Sequence, residues 1–582
     1  MTLALTFLIG LTIALPENPS AVERTAAAEL RAAAERMGAQ EAPTFVIRSD
    51  ASLGYDGIAI VPGAGEVTLI GHPVRGPIYA VDVYLEKYCG VRWWTPTESH
   101  YPKLAALPVP TAPYRHVPTF RFRETYYKDS FKADFKVHQK GNYSSVTRYM
   151  LEPMEFIPPE KGGNHRIHLF KGRNSAYHSF FEILPPAKYF AAHPDWYAEA
   201  EGKRHQTQLC LTNPEMTAEF IRETRAILRA DPESDIISIS QNDGSHISMI
   251  GPCQCAKCLA VEAEEGGEHS GPILRFVNTV AAALEAEFPH VTFETFAYSY
   301  SYPAPAKVTA RHNVVVRYCD IGCPFSFPLE TKGNFACEKW MDNLRKWQER
   351  APGRVFIWDY VTDFTNYMLP HPNLFSLAPN IRTFAKAGAI GVFEQGDALC
   401  SAGAFARLKH WYIAHLLWDA AADEQTLLDD FLVGYYGAQA APKLKEYLEL
   451  VNRPPAIAKN PVGCYHLNVN NFMFPGTIYA AYRAMAAALD AATAEGPAFA
   501  ERVRREKLSI DQAILLNWET LRKWYDAAWL DWEFGDDKIA YAKRWVAACR
   551  AFGVIAFRET TTRDTFENYV RQITTPEKEK SK

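Results

Sequence analysis

The chain has 582 residues, which is too long for one hydrophobic core and suggests about three or four folding units. Hydrophobic residues make up 48% and the net charge is -5, as in an ordinary globular protein. The pI of about 6.4 gives no overall basic surface, which argues against a nucleic-acid partner. Aromatic residues reach 13% and often stand beside polar ones, as in RETYY and IWDYVTDFTNY. This pattern favours a carbohydrate partner, and bulky core filling is the alternative.

The first region, residues 1–115, is predicted to be a small α/β domain. Its strands are LTIALPE, TFVIRS, GIAIVP, EVTLIG and VRWWTP. Ser20 and Glu23 form an S-x-x-E capping box at the start of a helix that Gly38 ends, and a second helix ends at Gly90. The Pro-rich run KLAALPVPTAPYRHVP marks the boundary near residue 115.

The first twenty residues, MTLALTFLIGLTIALPENPS, admit two interpretations. They resemble a signal peptide in apolar character, but they lack the Lys or Arg at the start, and the apolar run passes into the first predicted strand. We favour the strand. No other run approaches the roughly 20 apolar residues of a membrane span, so no membrane span is expected.

Residues 116–415 are predicted to form a closed (β/α)8 barrel. The candidate strands are TFRFRETYY, RIHLF, TQLCL, DIISISQND, TFETFAY, NVVVRYC, RVFIWDY and GVFEQG. Nearly continuous apolar strands that alternate with helices indicate a parallel sheet buried on both faces. An open doubly wound sheet is the alternative, although it lacks the glycine-rich turn expected after its first strand. Residues 416–582 have helical spacing and are predicted to be an α-helical domain.

In such a barrel the active site lies at the carboxyl ends of the strands. The polar ends are QNDG after the fourth strand, FAY after the fifth, WDY after the seventh and EQG after the eighth. We therefore expect Glu394 to point into the mouth of the barrel, with Gly396 letting the chain turn close to a ligand.

Several carboxylates, amides and aromatics without a nucleophilic Ser or Cys motif suit glycoside hydrolysis, which needs one protonated and one negative carboxyl group. Glu394 and Asp243 are predicted to be catalytic. The alternatives are a structural role for Glu394 and an Asx-turn or helix cap for Asp243. Asp359 and Asp363 are either catalytic or bind sugar hydroxyls and orient Arg and amide groups. His178 is either a structural histidine or a sugar contact.

The run GPCQCAKC contains Cys253, Cys255 and Cys258. A C-x-C-x2-C spacing can bind zinc if a His or a distant Cys supplies a fourth ligand, and such a zinc would be structural. The alternatives are a local disulfide with one buried thiol, or three small buried residues that shape the loop. We expect no metal and no other cofactor. The odd total of 11 cysteines indicates neither a small disulfide scaffold nor a compartment.

The sequence resembles known carbohydrate-active families. GPIYAVDVYLEKYCGVRWWTPTE resembles the small α/β domain that precedes the barrel in α-glucuronidases and β-hexosaminidases. The QND, WDY and FEQG motifs together resemble glycoside hydrolase family 163, over roughly residues 10 to 420. The resemblance implies an endo-β-N-acetylglucosaminidase that cuts the chitobiose core of complex-type N-glycans with retention, using the substrate's acetamido group as nucleophile. It also implies a secreted or periplasmic protein.

The resemblance also implies roles for the candidate residues. Glu394 would be the acid/base and Asp243 would orient the acetamide, and the reverse assignment stays open. The walls of the N-acetyl pocket would be Trp358, Tyr298 and Tyr367, and the hydroxyl or amide partners would be Asn242, Gln395 and Asn366.

Two rival functions remain. An exo-acting, α-glucuronidase-like hydrolase would need a cationic pocket, for which the candidates are Arg123, Arg173 and Arg317. A non-catalytic carbohydrate-binding protein would retain the pocket without turnover.

Overall fold

The computed structural model describes residues 11–145, 154–171, 176–243, 251–559 and 563–576. Its strands are β1 (Ile13–Ala14), β2 (Thr44–Ser49), β3 (Ile58–Gly63), β4 (Glu66–Gly71), β5 (Arg92–Trp93), β6 (Ser99–His100), β7 (Tyr114–His116), β8 (Phe122–Tyr126), β9 (Tyr143–Ser144), β10 (His165–Arg166), β11 (Tyr197–Ala200), β12 (Lys203–Leu209), β13 (Ile236–Ser238), β14 (Thr292–Ala297), β15 (Val314–Cys319), β16 (Val355–Tyr360) and β17 (Gly391–Gln395).

The helices of these described ranges are also numbered in chain order. They are α1 (Ala21–Met37), α2 (Gly76–Cys89), α3 (Ala133–His138), α4 (Phe180–Ile183), α5 (Pro186–Tyr189), α6 (Pro214–Ala230), α7 (Ala256–Glu264), α8 (Ser270–Leu284), α9 (Phe335–Arg350), α10 (Leu374–Lys386), α11 (Ala406–Trp418), α12 (Glu424–Tyr436), α13 (Ala441–Ile457), α14 (Pro475–Glu495), α15 (Pro497–Leu516), α16 (Trp518–Ala527), α17 (Lys538–Ala551) and α18 (Arg563–Thr574). None of them is long and apolar enough to span a membrane.

A five-stranded sheet forms near the amino terminus, in the order β1-β2-β4-β3-β7. The predicted strand in LTIALPE is confirmed as β1, which pairs in parallel with β2. The predicted start and end of α1 are also confirmed. The Ser20 hydroxyl accepts the Glu23 N–H at 3.1 Å, the Glu23 carboxylate accepts the Ser20 N–H at 2.7 Å, and Gly38 ends the helix with φ 76°.

Replacing Ser20 by alanine is expected to lower the free energy of unfolding by about 1 kcal/mol, because the Glu23 N–H loses its acceptor and the Glu23 carboxylate loses the hydroxyl donor. Urea denaturation of the variant measures this loss. Thr25→Ala is a matched control, since Thr25 lies on the exposed side of the same helix. An equal effect of both substitutions would contradict the capping account.

The central element is a six-stranded parallel sheet in the order β13-β14-β15-β16-β17-β8. Its strands are the first and the fourth to eighth of the eight candidates. They are almost completely buried, as nearly continuous apolar runs predict. In the register of the sheet, Asp359 lies opposite Glu394, and Glu394 lies opposite Thr125.

The sheet is curled, so its two faces differ. On one face, rings from strands that are not neighbours meet: Phe122 lies 5.6 Å from Phe356, and Phe296 lies 5.7 Å from Trp358. Contacts across an intervening strand require this face to be concave. On the other face, Ile357 and Val392 join the core that contains residues of α8 to α11. This face is convex and is covered by helices.

The closed eight-stranded barrel is not confirmed. β9 and β10 form a separate two-stranded parallel sheet. A few backbone bonds connect this pair to the edges of the six-stranded sheet. On one side the Asn142 N–H donates to the Arg123 carbonyl at 3.1 Å. On the other side the His168 N–H donates to the Ile236 carbonyl at 2.7 Å and the Asp235 N–H donates to the Arg166 carbonyl at 2.8 Å. The described residues thus form a curled half-barrel with a short pair between its edges.

The third candidate strand, TQLCL, does not enter the parallel sheet. It lies at the end of β12, which pairs antiparallel with β11. Glu201 and Gly202 connect the two strands, and both have positive φ, at 51° and 71°. Two residues with positive φ suit a tight hairpin turn, and such a turn returns the chain antiparallel to β11.

A buried ionic cluster joins the first sheet to the central sheet. The Asp56 carboxylate accepts hydrogen bonds from Arg75 at 3.1 Å, Arg123 at 2.8 Å and Asn142 at 2.9 Å. Burial alone raises the pKa of Asp56, but the two guanidinium charges outweigh it and lower the pKa to about 2. Arg123 belongs to β8, so this cluster holds the edge of the central sheet.

The helical character predicted after residue 415 is confirmed by α12 to α18. Two irregular segments of this region reach back to the loop that follows β16. The Phe364 N–H donates to the Cys464 carbonyl at 2.8 Å, the Tyr367 N–H donates to the Phe557 carbonyl at 2.8 Å, and the Glu559 N–H donates to the Phe364 carbonyl at 3.0 Å. These bonds bring the carboxyl-terminal part of the chain to the carboxyl ends of the central strands.

Candidate active site

The alternation of side chains along β16 and β17 divides the predicted site residues between the two faces of the sheet. Trp358 packs edge to face with Phe393 at 4.7 Å, on the concave face. Gln395 lies on the same face, because the Trp358 indole N–H donates to its side-chain oxygen at 2.8 Å. Asp359 and Glu394 are the intervening residues and therefore point to the convex face.

A second carboxylate completes the concave group. The Gln395 amide N–H donates to Glu559 Oε1 at 2.9 Å, so Trp358, Gln395 and Glu559 form one hydrogen-bonded chain. Glu559 is half-buried and is held there by its backbone bond to Phe364. Sequence reasoning missed Glu559, because it follows a helix and stands at no strand end.

Asp243 lies close enough for its charge to affect the pKa of Glu559. Burial raises the pKa of Glu559, and the negative charge of Asp243 raises it further, against the lowering effect of the Gln395 hydrogen bond. Burial and the Asp243 charge also raise the pKa of Tyr298. Asp243 itself is half-buried. Gly244, the next residue of the motif, lies outside the described residues.

Aromatic side chains border these two carboxyl groups. The His178 ring lies 5.9 Å from the Tyr298 ring, and the His178 Nδ1 atom lies 2.8 Å from the Gln241 carbonyl oxygen. Trp358, Tyr298 and His178 are all half-buried. Tyr465 is 59% exposed. Partial burial of its hydroxyl raises its pKa, and the negative charges of Glu559 and Asp243 raise that pKa further. Half-exposed rings beside carboxyl groups suit a sugar, whose apolar faces stack while its hydroxyls need polar partners.

Three other carboxyl groups form a cluster on the convex side, here called the acidic trio: Asp320, Asp359 and Glu394. Asp359 lies opposite Glu394, and Asp320 directly follows Cys319, which lies opposite Trp358. Glu394 is 0% exposed and the other two are 1% exposed. The carboxylate oxygens of Asp320 and Glu394 are buried and make no hydrogen bond to any residue that the structure describes. Asp320 directly follows the strand NVVVRYC, and the rule of strand ends would have found it.

Burial is the main cause that raises the pKa of all three groups, and the charge of Asp359 raises those of Glu394 and Asp320 further. Raised pKa values favour the protonated, uncharged form of these carboxyl groups. The structure thus places Glu394 behind the sheet and not in its mouth. Gly396 allows the Tyr127 ring to pack closely against the backbone, because a Cβ atom at this position would lie 2.2 Å from that ring.

Four further predicted residues make structural hydrogen bonds or pack in the interior. The Asn242 amide donates to the Thr207 carbonyl at 2.9 Å and supports the segment that carries Asp243. Asp363 accepts the N–H groups of Thr365 and His466 at 3.0 and 3.1 Å. Asn366 and Tyr367 are 5% and 4% exposed. These four side chains support the segments that follow β13 and β16.

Two of the three arginines suggested for a uronic-acid pocket are engaged elsewhere. Arg123 pairs with Asp56, and Arg317 pairs with Glu294 at 2.6 Å with both side chains 0% exposed. Arg173 lies outside the described residues. Cys253, Cys255 and Cys258 are free, buried thiols that cluster with Cys210.

The pH dependence of stability should reveal the buried carboxyl group of Asp397, which follows β17. Burial raises the pKa of Asp397 to about 7, so the folded protein keeps a proton that the unfolded chain loses above pH 3.8. The contribution of Asp397 to the free energy of unfolding should fall as pH rises from about 4 to 7, by up to about 4 kcal/mol.

Urea denaturation of wild type and Asp397→Asn at several pH values measures this contribution. The asparagine variant should gain stability relative to wild type as pH rises. The comparison is needed because buried histidines such as His466, whose pKa is lowered to about 4 by burial, act in the opposite direction. A difference that does not change with pH would contradict the prediction.

The chain matches one family model and resembles solved structures in fold. The model of the domain of unknown function DUF4838 matches residues 93–449. No curated protein matches the chain.

The solved structures that share the fold include the following two, and at their low identities the likeness concerns the fold alone. BtGH115A, a family GH115 4-O-methyl-α-glucuronidase with specificity for decorated arabinogalactans, is 12% identical, with a TM-score of 0.54 over 94% of this chain and 76% of that chain. CpGH89 from Clostridium perfringens, in complex with its substrate GlcNAc-α-1,4-galactose, is 10% identical, with a TM-score of 0.50 over 90% of this chain and 65% of that chain.

The matching family model is DUF4838 and not glycoside hydrolase family 163. Membership of family 163 therefore stays a prediction. The DUF4838 match covers more than half of the chain. The chain therefore belongs to the DUF4838 family.

Proposed function

We propose that the protein is a glycoside hydrolase whose active site lies on the concave side of the sheet, at the carboxyl ends of its strands. The observation that carries this proposal is the presence of two carboxyl groups, Asp243 and Glu559, in one aromatic-bordered and half-exposed site. Glycoside hydrolysis requires one carboxyl group that donates a proton and one that stays negative. The solved structures that share the fold include a glucuronidase and an enzyme bound to a GlcNAc disaccharide, which is consistent with a sugar substrate.

Glu559 is proposed as the acid/base. Its pKa is raised by burial and by Asp243, so it can hold the proton that the leaving oxygen needs. Its hydrogen bond to Gln395 fixes the carboxyl group in place. This assignment replaces Glu394, because the Glu394 side chain lies on the opposite face of β17.

Asp243 is proposed as the negative partner. In a substrate-assisted reaction it would accept the N–H of the acetamido group, whose oxygen attacks the anomeric carbon. That mechanism needs no enzyme nucleophile. Trp358, Tyr298 and His178 would border the sugar. Glu394 and Asp359 are proposed as positioning residues, since they hold the ends of the two strands that carry Gln395 and Trp358.

We propose a β-linked N-acetylglucosamine in the chitobiose core of complex-type N-glycans as the substrate, cut internally and with retention. Incubation with a panel of N-glycoproteins, followed by mass measurement of the released sugars, tests the proposal. The expected product is a glycan that ends in a single N-acetylglucosamine, with the other left on the protein. Release of uronic acid alone would favour the exo-acting alternative, and binding without release would favour a carbohydrate-binding protein.

A further inference from the structure

A second group of reactive side chains lies outside the proposed active site. The thiols of Cys210, Cys253, Cys255 and Cys258 are all buried, and their sulfur atoms lie within 4.8 Å of one another. Cys210 follows β12. Cys253 and Cys255 precede α7, and Cys258 lies in its first turn. Two segments far apart in sequence therefore contribute to one sulfur cluster.

The spacing of the sulfur atoms matches a metal site. Cys210 Sγ lies 3.6 Å from Cys255 Sγ and 3.9 Å from Cys258 Sγ. Zinc–sulfur bonds of about 2.3 Å at tetrahedral angles place neighbouring sulfur atoms roughly 3.8 Å apart. A disulfide would require about 2.05 Å, and all four cysteines are free.

Donor groups around the cluster would stabilise thiolates. The Glu199 N–H donates to Cys253 Sγ at 3.3 Å, and Thr212 Oγ1 lies 3.2 Å from Cys258 Sγ. The Arg204 guanidinium approaches Cys253 Sγ at 4.0 Å and brings a positive charge. Four thiolates and one divalent cation carry a net charge of about -2, which such donors offset.

We propose that Cys210, Cys253, Cys255 and Cys258 bind one zinc ion. Four protein sulfur ligands leave no open coordination position, so the site is structural and not catalytic. The ion joins the β11–β12 hairpin to the start of α7. The proposal does not depend on the proposed function.

Metal analysis of the full-length protein, purified under reducing conditions with zinc in the medium, tests the proposal. We expect about one zinc per chain in wild type and less than about 0.1 in Cys258→Ser, because zinc prefers thiolate ligands and a tetrahedral set is lost. Cys337→Ser is the matched control, since Cys337 is buried in α9 outside the cluster. Zinc retained by Cys258→Ser, or stoichiometric iron in place of zinc, would overturn the proposal.

A second measurement keeps the proposal testable if Cys258→Ser does not fold. Exchange of the wild-type metal for cobalt should give the charge-transfer and intense visible bands of a tetrahedral thiolate site, which excess zinc should abolish. Absence of these bands, or peptide mapping that finds disulfides among the four cysteines, would overturn the proposal. This readout does not involve glycan hydrolysis.

Discussion

Replacing Glu559 by glutamine is expected to lower kcat on an N-glycan substrate by about 10²- to 10⁴-fold, the usual contribution of a general acid. Glutamine has nearly the same shape and can still bond to Gln395, so folding should be preserved. KM should change little, because the lost interaction is made only in the transition state. Initial rates and a thermal unfolding curve for each protein measure both effects.

The pH profile distinguishes an acid from a structural residue. Wild-type activity should fall as pH rises through the raised pKa of Glu559, because the deprotonated group has no proton to donate. This limb should be absent in Glu559→Gln. Activated aryl glycosides need no leaving-group proton, so they should recover much of the lost rate.

Glu349→Gln is the matched control, since Glu349 lies exposed on α9. It should leave the rate unchanged. An unchanged pH limb in Glu559→Gln, or equal losses on activated and natural substrates, would contradict the role of Glu559 as acid.

The largest expected loss of stability comes from Asp56→Asn. The substitution leaves Arg75 and Arg123 buried without their carboxylate, and breaking a buried ion pair in this way costs about 3–5 kcal/mol. Because Arg123 lies in β8, the effect should spread to the edge of the central sheet. Urea denaturation followed by tryptophan fluorescence measures the loss.

Asp342→Asn is the control for this prediction. Asp342 pairs with Arg345 and Lys346 on the exposed side of α9, where the ion pairs are screened by water. It should cause no measurable change. If Asp56→Asn is as stable as this control, the ionic cluster does not hold the two sheets together.

Local signals in the sequence located the elements well. The capping box predicted the first residue of α1, and apolar runs predicted the six strands of the central sheet. The EG dipeptide between alternating segments also signals a hairpin, and the structure shows that TQLCL belongs to one. The prediction of a closed barrel counts TQLCL and RIHLF as strands of the parallel sheet, whereas in the structure they belong to two separate two-stranded sheets.

The direction of Glu394 could not be predicted from its strand. In GVFEQG both faces are buried, so the residues carry no alternation between polar and apolar that would mark the concave side. The contact of Phe393 with Trp358, and that of Trp358 with Phe296 across β15, fix the face, and they join residues far apart in the sequence.

Glu559 and Cys210 illustrate what local patterns leave out. Glu559 bonds to Gln395 across 164 residues, and Cys210 meets Cys255 across 45 residues. No motif connects these positions, because each contact results from the packing of separate segments.

The most direct test of the account compares Glu559→Gln with Glu394→Gln on one N-glycan substrate. The concave-face assignment predicts that kcat/KM of Glu559→Gln falls at least about 100-fold below that of Glu394→Gln. A larger loss in Glu394→Gln, with both proteins folded, would contradict it and return the acid/base to the eighth candidate strand.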